Sequence, residues 1–134
     1  MFGIVIVGHG GLARELLLAT EHVVGAQEAA KAISIAPQDD LTQKQAEIRA
    51  AVASVDGGEG VVVVTDMFGG TPSNLAIGCM SGEGVEVVYG ANLPLLVKLA
   101  KLRSRPLEEA VEAAIAAGRK YIDGASHMLK RKAG

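Results

Sequence analysis

Apolar residues along the chain form two kinds of segment, and the two kinds alternate. Continuous apolar runs such as "IVIV" at 4–7 and "VVVV" at 61–64 are typical of parallel strands that are covered on both faces. Longer segments with apolar residues three or four positions apart predict amphipathic helices. The pattern predicts strands at residues 2–7, 32–36, 61–65 and 85–90, and helices at 11–25, 39–55, 72–80, 94–101 and 106–118.

Residues that favour helix ends accompany several of these helices. Gly25 can close the first helix. Asp40 and Gln43 have the spacing of a capping box at the start of the second. Pro106 and Gly118 lie where the last of these helices is expected to begin and end. The first helix is predicted to bury a stripe formed by Leu12, Leu16, Ala19 and Val23.

Strands that alternate with helices predict an α/β fold with a parallel sheet and right-handed crossovers. We expect a doubly wound, mainly parallel sheet of four strands in the order 2-1-3-4, with helices on both faces. A chain of 134 residues without an internal repeat or linker fits a single domain, residues 1–134. The tail, about 119–134, is compatible with a short helix or an edge strand, and we predict an edge strand.

Charge and composition narrow the function classes. Thirteen Lys and Arg oppose fifteen Asp and Glu, and aromatic residues are scarce, so no basic surface with stacking side chains is available for nucleic acid. The start of the chain lacks a positively charged leader, and "IVIV" is too short for a membrane span. We therefore expect a cytoplasmic protein. The single cysteine, Cys79, lies in a helical pattern and is predicted to be a small buried thiol.

Two polar side chains follow two of the predicted strands. His9 comes after the first strand and Asp66 after the third. Because the carboxyl ends of parallel strands share one edge of the sheet, both side chains should lie on that edge. If the first and third strands are neighbours, the gap between their loops is the topological switch point where such sheets bind ligands.

The loop after Asp66 has the composition of an anion-binding turn. Gly69 and Gly70 let the backbone amides turn outward, and Thr71 can cap the following helix. Free amides and the positive end of a helix dipole favour a phosphate. Gly10, after His9, repeats this arrangement at the first helix. The candidate phosphate-binding residues are Gly10, Gly69, Gly70 and Thr71.

A histidine beside a carboxylate on such an edge can act as a nucleophile. Neutral imidazole is well populated near pH 7, and Asp66 can fix the tautomer of His9 and stabilise the positive ring. The sequence has no P-loop, dinucleotide fingerprint or zinc motif, so we expect no metal and no other cofactor. Alternatively, His9 is a solvated or structural residue and Asp66 only caps loop amides. His22 and His127 are interpreted as structural.

With these residues in place, the chain resembles the IIA component of the mannose-type sugar phosphotransferase system, a family with many fructose and sorbose members. The resemblance rests on "IVIVGHGGLA", "VVVVTDMFGGTPSN", "VYGANLPLLVKL" and "AGRKYI", and so covers nearly the whole chain. The pattern D-x-F-G-G-T-P-x-N with an upstream H-G is specific. One departure is Gly8, where the family often has threonine or serine.

The resemblance implies a phosphocarrier of the phosphoenolpyruvate-dependent sugar phosphotransferase system. His9 would accept a phosphoryl group from the carrier protein HPr and pass it to a separate IIB protein, with Asp66 orienting the imidazole. Thr71 and nearby amides would contact the phosphate. The family also implies a homodimer in which the C-terminal strand, here from about Arg119, crosses to the other subunit's sheet. Contact with a membrane would be indirect, through the permease complex.

Three other functions compete with this hypothesis. The first is a regulatory IIA phosphoprotein without sugar transport. The second is the phosphotransferase subunit of dihydroxyacetone kinase, which resembles the chain around His9 but usually lacks the Gly-Gly-Thr-Pro of the second loop. The third is a binding module that holds a phosphorylated metabolite. The sugar itself cannot be named, since in the family it is bound by membrane components.

Overall fold

A computed structural model describes residues 1–67, 69–80 and 84–133. In these ranges the chain forms four strands and six helices, which alternate along most of the chain. Their bounds are β1 Gly3–His9, α1 Leu12–Val24, β2 Ala30–Ile35, α2 Leu41–Val55, β3 Val61–Thr65, α3 Thr71–Ile77, β4 Val85–Val88, α4 Leu93–Lys101, α5 Leu107–Lys120 and α6 Ala125–Ala133.

The four strands form one parallel sheet in the order β2-β1-β3-β4, which confirms the predicted topology. In the central pair, Val5 lies opposite Val63 and Val7 opposite Thr65. β1 continues through His9, two residues beyond the predicted end. The carboxyl ends of β1 and β3 are therefore neighbours at one edge of the sheet.

Helices cover both faces of the sheet, as predicted for a doubly wound fold. On one face, Ile4, Ile6, Val62 and Val64 pack in a core to which α1, α4 and α5 contribute. On the other, Val5, Val7, Val61 and Val63 pack in a core with residues of α2 and α3. Alternate residues of β1 and β3 thus enter opposite cores, which explains why these strands are continuously apolar.

The stripe predicted for α1 is right at Leu16, which packs against the core, and wrong at its two ends. Leu12 is 44% and Val23 is 55% exposed, whereas Ala13 and Thr20 are buried. Thr20 can face the core because its hydroxyl donates a hydrogen bond to the Leu16 carbonyl at 2.8 Å. The helix ends as predicted, with Gly25 at φ 93° and its N–H donating to the Glu21 carbonyl.

The start of α2 and the end of α5 can be compared with the ends predicted from sequence. Asp40 is the N-cap of α2, and one of its carboxylate oxygens accepts hydrogen bonds from the N–H groups of Thr42 and Gln43. α5, in contrast, continues past Gly118 to Lys120. Gly118 lies inside the helix because it faces Leu95 of α4, where an added Cβ would sit 3.1 Å from the leucine Cβ.

The edge strand predicted for the tail does not form in this chain. Arg119 and Lys120 belong to α5, and Ala125–Ala133 is a helix with no buried residue. Residues 125–133 include no β-branched residue and are rich in good helix formers. Asp123, just before α6, pairs with His127 and Arg131 at 2.9 and 2.7 Å and so supports its first turns.

Across the described ranges, none of the helices combines the length and the apolar composition needed to cross a lipid bilayer.

Candidate functional site

His9 and Asp66 meet at the carboxyl edge of the two central strands, as predicted. The imidazole Nδ1 of His9 lies 2.7 Å from Oδ2 of Asp66, and the same oxygen accepts the backbone N–H of His9 at 2.8 Å. The other carboxylate oxygen accepts the N–H of Met67 at 2.9 Å. Asp66 is therefore held by three contacts, two of them to His9.

The carboxylate of Asp66 is ionised and sets the tautomer of His9. Burial, the largest influence, acts to raise the pKa of Asp66, but the hydrogen bonds from His9, the charge of its ring and the Met67 N–H together lower that pKa below its ordinary value of 3.8. An ionised carboxylate only accepts hydrogen bonds, so Nδ1 of His9 carries the proton. When the ring is neutral, the lone pair is therefore on Nε2.

The side chains of Asp66 and His9 differ in their exposure to water. The Asp66 side chain is 9% exposed, whereas the His9 side chain is 51% exposed. The carboxylate is thus shielded from water, whereas about half of the imidazole side chain is open to it. In the described part of the chain, no group of three or more His, Cys, Asp or Glu side chains is placed to hold a metal ion.

Gly70 lies against the part of the imidazole that carries Nε2. A Cβ added to Gly70 would sit 3.1 Å from Cε1 and 3.4 Å from Nε2 of His9. A glycine at this position therefore leaves room for the ring and for a group bound to Nε2. The prediction that Thr71 caps α3 is wrong, because the N-cap is Gly70 and Thr71 is the first residue of the helix.

The amides of Gly10 and Gly69 are engaged inside the protein. Both residues have a positive φ, 55° and 87°, which glycine adopts without strain. The Gly10 N–H donates to the Ile35 carbonyl at 3.0 Å, and the Gly69 N–H donates to Oγ of Ser73 at 3.2 Å. These hydrogen bonds shape the turns on both sides of His9.

A cleft of about 590 Å³ opens beside His9. Its walls come from the end of β1, the connection between β2 and α2, and the start of α3: His9, Gly10, Ile35, Ala36, Pro37, Asp39, Leu41 and Thr71. The sequence reasoning missed the β2–α2 connection. Its signal was present, because β2 is a neighbour of β1 and ends at the same edge of the sheet.

The remaining candidate side chains lie elsewhere. His22 is in the last turn of α1, whose first turn is the end next to His9. His127 is in α6 and pairs with Asp123. Cys79 is buried, and this burial raises the pKa of its thiol, with Arg49 opposing the shift.

Comparison with known proteins places the fold and the motifs in one family. The family model described as "PTS system fructose IIA component" matches residues 3–116. The mannose-specific EIIAB component of the sugar phosphotransferase system (PTS) from Escherichia coli strain K12 is 32% identical over 122 residues, which are 89% of this chain and 38% of that protein. The chain therefore spans well under half the length of this relative.

Solved structures agree with this comparison. The mannose/sorbose-specific IIA subunit of the phosphotransferase system from Enterococcus faecalis has a TM-score of 0.83 at 26% identity, covering 92% of this chain and 93% of that one. The phosphotransferase system component EIIA from Streptococcus agalactiae shares the fold, with a TM-score of 0.85 at 23% identity and coverage of 95% and 99%. The chain belongs to the mannose-type EIIA family of sugar phosphotransferase system components.

Proposed function

We propose that this chain is a phosphocarrier of the phosphoenolpyruvate-dependent sugar phosphotransferase system. His9 accepts a phosphoryl group from phospho-HPr and passes it to a IIB protein. The observation that carries the proposal is the pairing of the two side chains: Nδ1 of His9 is 2.7 Å from the shielded carboxylate of Asp66, and the His9 side chain is 51% exposed.

In the proposed transfer, the reacting groups are the His9 imidazole and the phosphohistidine of HPr. The Nε2 lone pair of His9 attacks phosphorus while the P–N bond to the histidine of HPr breaks, and that bond's electron pair returns to the donor imidazole. The His9 ring gains positive charge, which the Asp66 carboxylate stabilises through the Nδ1 proton. Transfer to IIB is the same step in reverse with a different acceptor.

The start of α3 supplies the proposed phosphate contacts. Thr71 lines the same cleft as His9, and Gly70 is in contact with the ring, so both are close to a group on Nε2. The N–H groups of Gly10 and Gly69 must leave Ile35 and Ser73 to reach the phosphate. We therefore assign the first contacts to Gly70 and Thr71.

The proposal includes a homodimer formed through the tail, residues 119–134. Its support is the exposure of large apolar side chains there, with Tyr121, Ile122 and Leu129 at 62%, 74% and 66%. Exposed apolar groups of this size are typical of surfaces that bind a partner.

The direct test is incubation with purified enzyme I, HPr and labelled phosphoenolpyruvate, followed by mass analysis of the chain. We expect one acid-labile phosphate, lost in His9→Ala and kept in His22→Ala and His127→Ala. If HPr is phosphorylated in the same tube and the chain stays unlabelled, the phosphocarrier function is wrong, and binding of a phosphorylated metabolite becomes the better hypothesis.

A further inference from the structure

Ser73 is a buried polar residue whose hydroxyl is linked to the candidate site through the backbone of Gly69. It lies in the first turn of α3 and is 0% exposed. Its Oγ accepts the backbone N–H of Gly69 at 3.2 Å. This side-chain hydrogen bond is thus directed at the turn that precedes α3.

That turn lies directly against the reactive ring. Gly69 has a φ of 87°, and a Cβ added to the next residue, Gly70, would sit 3.1 Å from Cε1 and 3.4 Å from Nε2 of His9. Two successive glycines have the greatest backbone freedom of any residue pair, so the turn needs an external anchor to keep one conformation. The hydrogen bond to Ser73 is such an anchor.

Ser73 is itself attached to the core. Ala76, one turn further along α3, is fully buried in the core between α2, α3 and the sheet. From α2, the Gln45 side-chain amide donates to the Leu75 carbonyl at 3.3 Å, and the Arg49 guanidinium donates to the Gly78 carbonyl at 3.2 Å. α3 is therefore a fixed element, and the Ser73 hydroxyl transmits its position to Gly69 and Gly70.

We propose that Ser73 is a positioning residue for His9: through Gly69 and Gly70 it holds the ring so that Nε2 meets the incoming phosphorus in one orientation. This inference rests on the proposed phosphocarrier function. Ser73 makes no contact with the phosphoryl group in this proposal, and it acts only through the backbone of the turn. Its removal should affect the chemical step more than the docking of the donor, because the walls of the cleft stay intact.

The test is Ser73→Ala, assayed by the rate of His9 phosphorylation at varied phospho-HPr concentrations. We expect the maximal rate to fall roughly 10-fold, as is typical when a group that orients a reacting side chain is lost. The phospho-HPr concentration at half-maximal rate should stay within about twofold of wild type. A wild-type maximal rate would overturn the proposal.

Thr20→Val is the matched control. It also removes a buried hydroxyl, here one that donates to the Leu16 carbonyl in α1, far from the Gly69–Gly70 turn in the chain. Its phosphorylation rate should equal that of wild type. If Thr20→Val loses as much rate as Ser73→Ala, the loss reflects general destabilisation, and the positioning role is wrong.

A second measurement separates this inference from the proposed function. In the unphosphorylated protein, the NMR signal of the His9 Cε1 proton should shift in Ser73→Ala, while the signals of His22 and His127 stay in place. This readout does not require transfer. If wild type is not labelled although HPr is, the phosphocarrier function fails, and the His9 shift alone then supports or overturns the positioning contact.

Discussion

At the scale of single residues, the proposed function depends on the Asp66 carboxylate beside His9. Asp66→Asn keeps the size of the side chain but removes the negative charge that stabilises a positive imidazole. We expect His9 phosphorylation to slow by a factor of about 100. The phospho-HPr concentration at half-maximal rate should change little, because Asp66 is shielded from the partner. A wild-type rate in this variant would remove Asp66 from the mechanism.

The same variant also gives a test in acid. Because the pKa of Asp66 is lowered in the folded chain, its ionised form stabilises the fold above the ordinary value of 3.8. That contribution is lost as the pH falls below 3.8 and through the folded pKa. The difference in free energy of unfolding between wild type and Asp66→Asn should therefore shrink over this range. A difference that does not vary with pH would mean that Asp66 has the same pKa in both states.

At the scale of elements, Arg103 joins three segments that are distant in sequence. It is 6% exposed and follows α4, and its guanidinium donates to the carbonyls of Phe2, Glu28 and Ala29 and to the side chain of Gln27. The start of β1 and the connection from α1 to β2 are thereby tied to the end of α4. Burial lowers the pKa of Arg103, with the charge of Glu28 opposing the shift, and the guanidinium remains charged.

Replacing this side chain should cost a large part of the stability. Arg103→Met keeps apolar packing but removes the donor to the buried Phe2 carbonyl and to the part-buried carbonyls of Glu28 and Ala29, of which Ala29 keeps the Ile4 N–H. We therefore expect the free energy of unfolding to fall by about 3 kcal/mol. Urea denaturation measures this free energy of unfolding. The matched variant is Arg105→Met, which loses only an exposed ion pair with Glu109 and should change stability by about 0.5 kcal/mol or less. Equal losses in both variants would show that the buried contacts of Arg103 add nothing.

The elements that sequence predicted correctly are those with a strong local pattern. β3 was predicted to the residue because five successive core positions read as one apolar run. The α1 stripe was partly wrong because the Thr20 hydroxyl donates a hydrogen bond within the helix. A polar residue could therefore be buried where none was expected. The tail was missed because its apolar side chains were assumed to need cover within a sheet, whereas local pairing through Asp123 supports a helix.

At the scale of the whole molecule, the site follows from topology more than from any single motif. His9 and Asp66 could be brought together from sequence because parallel strands end at one edge and β1 lies beside β3. The contact of Gly70 with the imidazole and the hydrogen bond from Gly69 to Ser73 could not. They depend on how α3 is rotated over the sheet, which the pattern of apolar residues does not specify.

The tail gives a prediction about assembly. Ile122 and Leu129 are 74% and 66% exposed, and no residue of α6 is buried, so the fold of one chain does not depend on them. In a homodimer each would be covered by the other copy, and every such side chain would contribute about 1.5–3 kcal/mol.

Sedimentation equilibrium should show about twice the 13.8 kDa chain mass for wild type and a single chain for Ile122→Lys combined with Leu129→Lys. Ser126→Lys adds charge to the same exposed helix without removing an apolar group, and it should leave the dimer intact. A wild-type protein that sediments as one chain would show that the tail does not form a homodimer.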